Sequence, residues 1–414
     1  MLNPKTQQRE LTYVVLIDKI EPIIGSDNCE SAIVNGWHVM VRKGQFKVGE
    51  PAVYFEIDSR VPADRECFAF LEKRNYKVKT QKFTFGGKGN FISQGLLMHA
   101  TDFGWHIENL AEDVNICIVD EKGTRHYPHD ESRFLTKQLG VTYADDEDNQ
   151  RKAPSVDKYK KMASRHPNIF KKSFVRWLMK YSWGRKLMFF FFGKKKDKKN
   201  GWPTWVQKTD EERIECMPFI LQSKNPWIVT EKVDGSSSTF TMKRGKFGKK
   251  DFYVCSRNVC FESVDKPCYY DTNIYWEMAQ KYHMFEVLSQ LLDSMPAAEW
   301  ITIQGETYGE SVQRNTYDLS GRDFKAFNLV TSDKGRWNSC DMKELLEDKY
   351  GIPCVPILDK AFILPDTIEE LRAYVDSKPS IINGKMKEGI VCRSPDGIHS
   401  FKCVSPEYLL KYHS

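Results

Sequence analysis

None of the 11 cysteines has a partner at C-x-x-C spacing, which removes the commonest signature of a zinc site or a redox dithiol. They are odd in number and scattered from Cys29 to Cys403. That pattern argues against a disulfide framework and for a reducing, cytoplasmic setting. No uncharged apolar run reaches the roughly 18 residues needed to cross a bilayer. The start, MLNPKTQQRE, is polar and lacks the apolar run of a secretory signal. No internal repeat recurs at a period of about 20–50 residues, which excludes solenoids and propellers. Acidic residues are scarce in one segment only. Residues 151–200 hold 17 Lys+Arg against 2 Asp+Glu, a local net charge of +15 within a chain whose total is +6.

The chain is otherwise that of a soluble globular protein. Its 414 residues, 41% apolar and 29% charged, are enough for two or three domains with separate cores. Residues 11–60 read as short strands split by turn residues such as Gly44, Gly49 and Pro51. Basic and aromatic residues alternate around a Gly-Gly turn in residues 76–100. The spacing fits a small all-β barrel closing near residue 125. Residues 126–154 are polar and acidic, as connectors are.

The basic segment follows, with 174-FVRWLMKYSWGRKLMFFFFGKKKDKKN-200 at its centre. Its apolar run is broken by Arg176, Lys180, Arg185 and Lys186. Three readings stand for it: a helix packed on a neighbouring domain before a Lys-rich loop, a nucleic-acid contact, or a basic amphipathic membrane-surface segment. From residue 201 the pattern turns α+β. WIVTEKVDG, DFYVCSR, WITIQGETYG, DFKAFNLV, EGIVCRS and HSFKCV read as strands. NIYWEMAQKYHMFEVLSQLL, SCDMKELLEDKY and DTIEELRAYVDS read as helices, the last with Asp366 as its cap.

Within this half, 230-TEKVDGSSSTF-240 places Lys232 between two carboxylates, ahead of a glycine and three serines. A lysine becomes a nucleophile only when deprotonated, which desolvation or nearby positive charge favours. Attack on the α-phosphate of ATP would give a phosphoramidate and split one hard transfer into easier steps. Such a site also needs carboxylates, a phosphate-binding cation and an aromatic ring for the base. Glu306, Phe327, Glu388, Lys402 and Arg257 supply that set on segments that can be adjacent strands. Each alone is more simply a solvated strand-end charge or a core aromatic; order and spacing carry the signal.

These segments resemble the covalent nucleotidyltransferase superfamily of polynucleotide ligases and RNA capping enzymes. The matching motifs are 232-KVDG-235, 305-GETYG-309, 324-FKAFNL-329, 388-EGIV-391 and 401-FKCV-404. Within it the chain is most similar to ATP-dependent RNA ligases with an OB-like domain ahead of the catalytic domain, which seal nicks at a 3′-OH RNA end. Phrases 207-QKTDEERIE-215 and 92-ISQGLLM-98 add to that likeness. So does the order: the barrel-like pattern precedes the motifs, and only 12 residues follow Lys402. DNA ligases and capping enzymes of the superfamily carry the OB domain after the last motif.

The resemblance implies a multidomain chain: an all-β OB-like domain over 1–125, a linker with a basic insert over 126–200, and an α+β nucleotidyltransferase domain over 201–414. It implies that Lys232 carries AMP and that Asp234 and Gly235 shape the adjoining turn. Arg257 would contact phosphate or the RNA end, Glu306 the ribose, and Lys402 the α-phosphate. Phe327 would stack on adenine. Glu388 would bind the metal, and Glu231 would face the base. Arg213 is expected near the phosphates. In 74-RNYKVKTQKF-83, Arg74, Lys77, Lys79 and Lys82 form the expected phosphate-contacting strip, or else solvate an edge strand.

ATP is the expected co-substrate, Mg2+ or Mn2+ the expected ion, and nicked duplex RNA the expected partner of a monomeric enzyme. One departure from the family pattern stands out. Val404 occupies the position where many relatives have a second lysine, leaving that work to another cation such as Lys411. DNA end joining, and nucleic-acid binding by a decayed ligase domain, are the competing functions.

Overall fold

The structure, a computed structural model, describes residues 1–3, 5, 6, 8–109, 116–144 and 202–412. The basic segment over 151–200 lies outside the described residues.

The amino-terminal unit opens with β1 (Thr12–Leu16), β2 (Lys19–Pro22), β3 (Cys29–Val34), β4 (Trp37–Arg42) and β5 (Pro51–Phe55). Then come β6 (Ser59–Arg60), β7 (Lys77–Val78), β8 (Gln81–Thr84), β9 (Asn90–Ser93) and β10 (Leu96–Met98). β11 (His106–Asn109), β12 (Ile116–Val119), β13 (Arg125–His126) and β14 (Thr142–Tyr143) complete it. These form small antiparallel sheets, among them β1-β5-β10 and β2-β3-β4. β5 is buried along its whole length because it has strands on both edges and cores on both faces.

The unit does not stop at residue 125, where the sequence suggests a connector. β14 pairs with β6, and Leu135, Leu139 and Val141 enter the same core as Phe55 and Phe68. Their apolar side chains are spaced among polar neighbours, so composition alone hides them.

The carboxy-terminal unit contains β15 (Trp227–Lys232), β16 (Ser236–Arg244), β17 (Lys250–Cys255) and β18 (Cys260–Phe261). Next are α1 (Ile274–Lys281), α2 (Met284–Ser294), β19 (Trp300–Gly309), β20 (Arg322–Thr331) and β21 (Gly335–Arg336). It ends with α3 (Ser339–Lys343), β22 (Ile357–Phe362), α4 (Ile368–Ser377), β23 (Gly389–Arg393), β24 (Ser400–Val404) and α5 (Pro406–Tyr412). Two antiparallel sheets result, β22-β15-β23-β24 and β18-β17-β16-β19-β20-β21. The larger packs Phe240, Ile301 and Phe324 on Leu288 and Leu292 of α2. The smaller packs Val229, Ile390 and Phe401 on Leu371 of α4.

Two helical expectations change. The long apolar stretch from Ile274 divides at Tyr282, where His283 takes a left-handed conformation (φ 47°) and starts α2. α4 is capped by Thr367, not Asp366. The Thr367 hydroxyl accepts from Glu370 N (3.2 Å) and the Glu370 carboxylate accepts from Thr367 N (3.2 Å), a reciprocal capping box. Asp366 pairs instead with Lys224 at 2.6 Å.

The two units touch through buried polar contacts. Arg372 on α4 donates to Glu215 (2.7 Å) and to the Gly36 carbonyl of the amino-terminal unit (2.8 Å). Cys216 is buried among the core side chains of that unit.

Candidate active site

The two sheets of the carboxy-terminal unit face each other across a cleft of about 300 Å³ whose lining includes Lys232, Glu306, Phe327, Lys402 and Arg257. Lys232 is the last residue of β15, one of the two interior strands of the smaller sheet, and lies opposite Gly389. The next three residues cross to β16 in the larger sheet. A Cβ at Gly235 would lie 2.3 Å from the Thr307 carbonyl oxygen, so only glycine lets the crossing run this close to β19. Gly389 is similarly confined, with Cys403 O 2.2 Å from where its Cβ would stand.

Phe327 lines the cleft at a break in strand register. Gln304 pairs with Asn328 and Gly305 with Ala326, which leaves Phe327 as the extra residue of a β-bulge. Phe324 and Ala326 face the core behind the sheet, which leaves Phe327 to the cleft. It packs with Val233, Tyr317 and Val355 at the cleft floor.

Around Lys232 the charge is negative. Its ammonium donates to Glu388 Oε2 at 2.6 Å. Burial works against that ammonium, but Glu388, Glu306 and Asp234 outweigh it and hold its pKa above the ordinary lysine value. Burial also lifts Glu306 to about 8, with Glu388 and Asp234 pushing the same way against the pull of Lys232. Near neutrality Glu306 therefore keeps its proton, because three carboxylates cannot all ionise around one lysine. Lys232 is therefore charged near neutrality.

The opposite side of the cleft is positive. Lys402 Nζ lies 3.0 Å from Asp210 Oδ1, and Arg257 Nη2 lies 2.6 Å from Asp210 Oδ2. One carboxylate thus serves two cations. Burial pushes the Lys402 pKa below its usual value, and Lys232 and Arg213 add to that against Asp210. Neighbouring Glu211 accepts from Arg393 Nη2 at 3.2 Å and from Arg336 Nη1 at 3.4 Å.

Glu231, also in the cleft lining, is buried, and its carboxylate accepts from Ile381 N (2.9 Å) and the Ser380 hydroxyl. Its side chain anchors the loop before β23. Arg213 lies beside Lys402 through a parallel backbone bridge. In the amino-terminal unit, Arg74 and Lys79 are exposed and Lys77 is half-buried. Lys82 donates to the Leu410 carbonyl of α5 at 2.8 Å, across the boundary between the units. Val404 is buried against Gly389, on the same strand face as Lys402. Lys411 lies over the Tyr412 ring, 4.9 Å from its centroid, and is not part of the cleft lining.

Sequence reasoning passed over Asp210 and Glu211, although both stand in the quoted 207–215 phrase. It also missed Tyr317, whose hydroxyl accepts from Asp234 N (3.1 Å), and Tyr408, whose hydroxyl donates to Asp234 Oδ2 (2.9 Å).

Residues 225–413 match the RNA ligase family, and residues 11–99 match an OB-fold domain family. The carboxy-terminal half is an RNA ligase domain. The amino-terminal unit is an OB-fold domain, as its short strands suggest. Solved structures extend the likeness over both. A Naegleria gruberi RNA ligase point mutant with ATP and Mn is 26% identical (TM-score 0.63), the match covering 98% of this chain and 100% of that one. The Naegleria gruberi RNA ligase with PPi is 25% identical (TM-score 0.61), covering 98% and 99%. A further mutant of that ligase, with AMP and Mn, is 26% identical (TM-score 0.62), covering 98% and 99%. No curated protein matches the chain. No helix among the described residues is long and apolar enough to cross a membrane.

Proposed function

We propose that this RNA ligase uses ATP to join a 3′-OH end to a 5′-phosphate end through a Lys232–AMP intermediate, at nicks in duplex RNA. The observation that carries this reading is the split cleft. A half-buried lysine under carboxylates faces a pair of cations, over a floor of Phe327, Val233 and Val355. A nucleotide fits that division: base on the apolar floor, phosphates toward Lys402 and Arg257, α-phosphorus within reach of Lys232.

In the first step, the Lys232 Nζ lone pair forms a P–N bond as the P–O bond to pyrophosphate breaks. The proton shared with Glu388 must leave Nζ first. Lys402 and Arg257 release Asp210 and take the phosphate oxygens, which neutralises charge at the in-line transition state. AMP then passes to the 5′-phosphate, and the 3′-OH displaces it.

The carboxylates fit a divalent cation only in part. Among the described residues no three His, Cys, Asp or Glu cluster closely enough to cage an ion. Glu388, with Glu306 nearby, would instead hold Mg2+ or Mn2+ whose remaining positions go to water and phosphate oxygen, the usual habit of Mg2+. Such an ion supplies the positive charge that offsets the carboxylates and lowers the lysine pKa. The amino-terminal OB-fold, with Arg74, Lys77 and Lys79 toward phosphate, is the proposed duplex-binding part.

The test is sealing of nicked duplexes in which each strand is RNA or DNA in turn, with ATP and Mg2+ or Mn2+. Sealing that needs ribose at the 3′-OH strand is expected. Equal sealing with deoxyribose there would make it a DNA-directed ligase. No protein–AMP from ATP would leave a nucleic-acid-binding protein.

A further inference from the structure

We infer that Tyr408 is a positioning residue for the nucleophile, acting through the Asp234 carboxylate two residues beyond Lys232. The inference rests on the ligase reading above. Tyr408 lies on α5, two positions beyond the start of that helix, and its side chain is buried. Its hydroxyl stands 2.9 Å from Asp234 Oδ2 and 2.8 Å from Thr316 Oγ1. A carboxylate can only accept, so the tyrosine proton goes to Asp234 and the Thr316 hydroxyl donates to the tyrosine oxygen. Burial and the Asp234 carboxylate together hold the phenol well above its ordinary pKa, so it remains a donor at any working pH. On the backbone side of the same residue, Asp234 N donates to Tyr317 at 3.1 Å. Two tyrosines from distant segments thus hold the turn that follows Lys232.

The same short helix fixes the other carboxylate beside the nucleophile. Ser405 N donates to the Glu388 carbonyl (2.9 Å), and the Ser405 hydroxyl accepts from Tyr408 N (3.2 Å), capping the helix. At its far end the Leu410 carbonyl takes Lys82 of β8 (2.8 Å). α5 is therefore a strut with three anchors: the Asp234 side chain, the Glu388 backbone and the amino-terminal unit. Loss of the tyrosine hydroxyl removes the hydrogen bond that orients the Asp234 carboxylate within the turn after Lys232.

The experiment is single-turnover transfer of AMP from ATP to the full-length protein, across ATP concentration, for the parent, Tyr408→Phe, Asp234→Asn and the double variant. Phe removes one hydroxyl and keeps the ring. An intact melting transition separates positioning from misfolding. Tyr408→Phe is expected to slow AMP transfer about tenfold, the scale of a lost hydrogen bond to a charged group. The KM for ATP should stay within about twofold, so that the loss falls on the rate of transfer and not on ATP binding. In the Asp234→Asn background the same change should have little further effect, because the two residues act as one unit. A Tyr408→Phe protein with the parent's rate, or with its loss confined to KM, or with an effect that multiplies in full on Asp234→Asn, overturns the inference. A parent that never accepts AMP overturns the ligase mechanism, and this inference with it.

Discussion

Lys232 and Lys402 line the same cleft, and their environments push them in opposite directions. Lys232 meets Glu388, Glu306 and Asp234 and holds its proton more tightly than a free lysine. Lys402 shares Asp210 with Arg257, is desolvated, feels Lys232, and holds its proton less tightly. Under the proposed mechanism, a nucleophile that needs to be neutral is thus kept charged, and a phosphate binder that needs to be charged is under-compensated. ATP with its divalent cation would answer both: the polyphosphate would supply negative charge on the Lys402 side and the cation positive charge on the Lys232 side.

The contrast can be broken from either side. Lys402→Ala removes the principal phosphate cation and should cut the rate of AMP transfer roughly 10²–10³-fold, measured by single-turnover labelling. Glu388→Gln removes the closest carboxylate from Lys232 together with the proposed metal ligand. A loss of about 10²-fold at neutral pH is expected, with part of it recovered as Mn2+ is raised. Asp210→Asn takes away the shared partner of Lys402 and Arg257. Inorganic pyrophosphate should then bind about three- to tenfold more tightly by calorimetry; unchanged affinity would mean that Asp210 does not compete with phosphate.

The smallest effect concerns Glu306 and sharpens the carboxylate side. Its folded-state pKa of about 8 stands above its reference value of 4.5. The folded protein therefore keeps a proton that the unfolded chain has already lost, and this group's contribution to stability declines as pH rises from about 4.5 to about 8. Glu306→Gln has no such proton to lose. Between pH 5 and pH 8.5 its melting temperature should gain on the parent's by about 2–5 °C.

The same contrast shows what the sequence made legible. The sequence singles out Lys232, Glu306, Phe327, Glu388 and Lys402, which the fold brings together, because each sits in or immediately beside a short apolar strand whose local pattern survives without its partners. The strands around them were legible for the same reason. Asp210 was not, because its meaning lies in Lys402, 192 residues away in the chain. Tyr408 looked like an ordinary residue of a terminal helix; only the fold brings its hydroxyl to Asp234. Phe327 looked like an ordinary core aromatic of an alternating strand, but Phe324 and Ala326 take the core face, which leaves Phe327 to the cleft. The end of the amino-terminal unit was misplaced at residue 125 because Leu135, Leu139 and Val141 are diluted by polar neighbours.

The most direct measurement is peptide mapping of the protein after incubation with ATP and Mn2+, without RNA. The account predicts one AMP adduct, on the peptide containing Lys232, acid-labile as a phosphoramidate should be, and absent from Lys232→Ala. An adduct on another residue, or an undiminished adduct in Lys232→Ala, would contradict it.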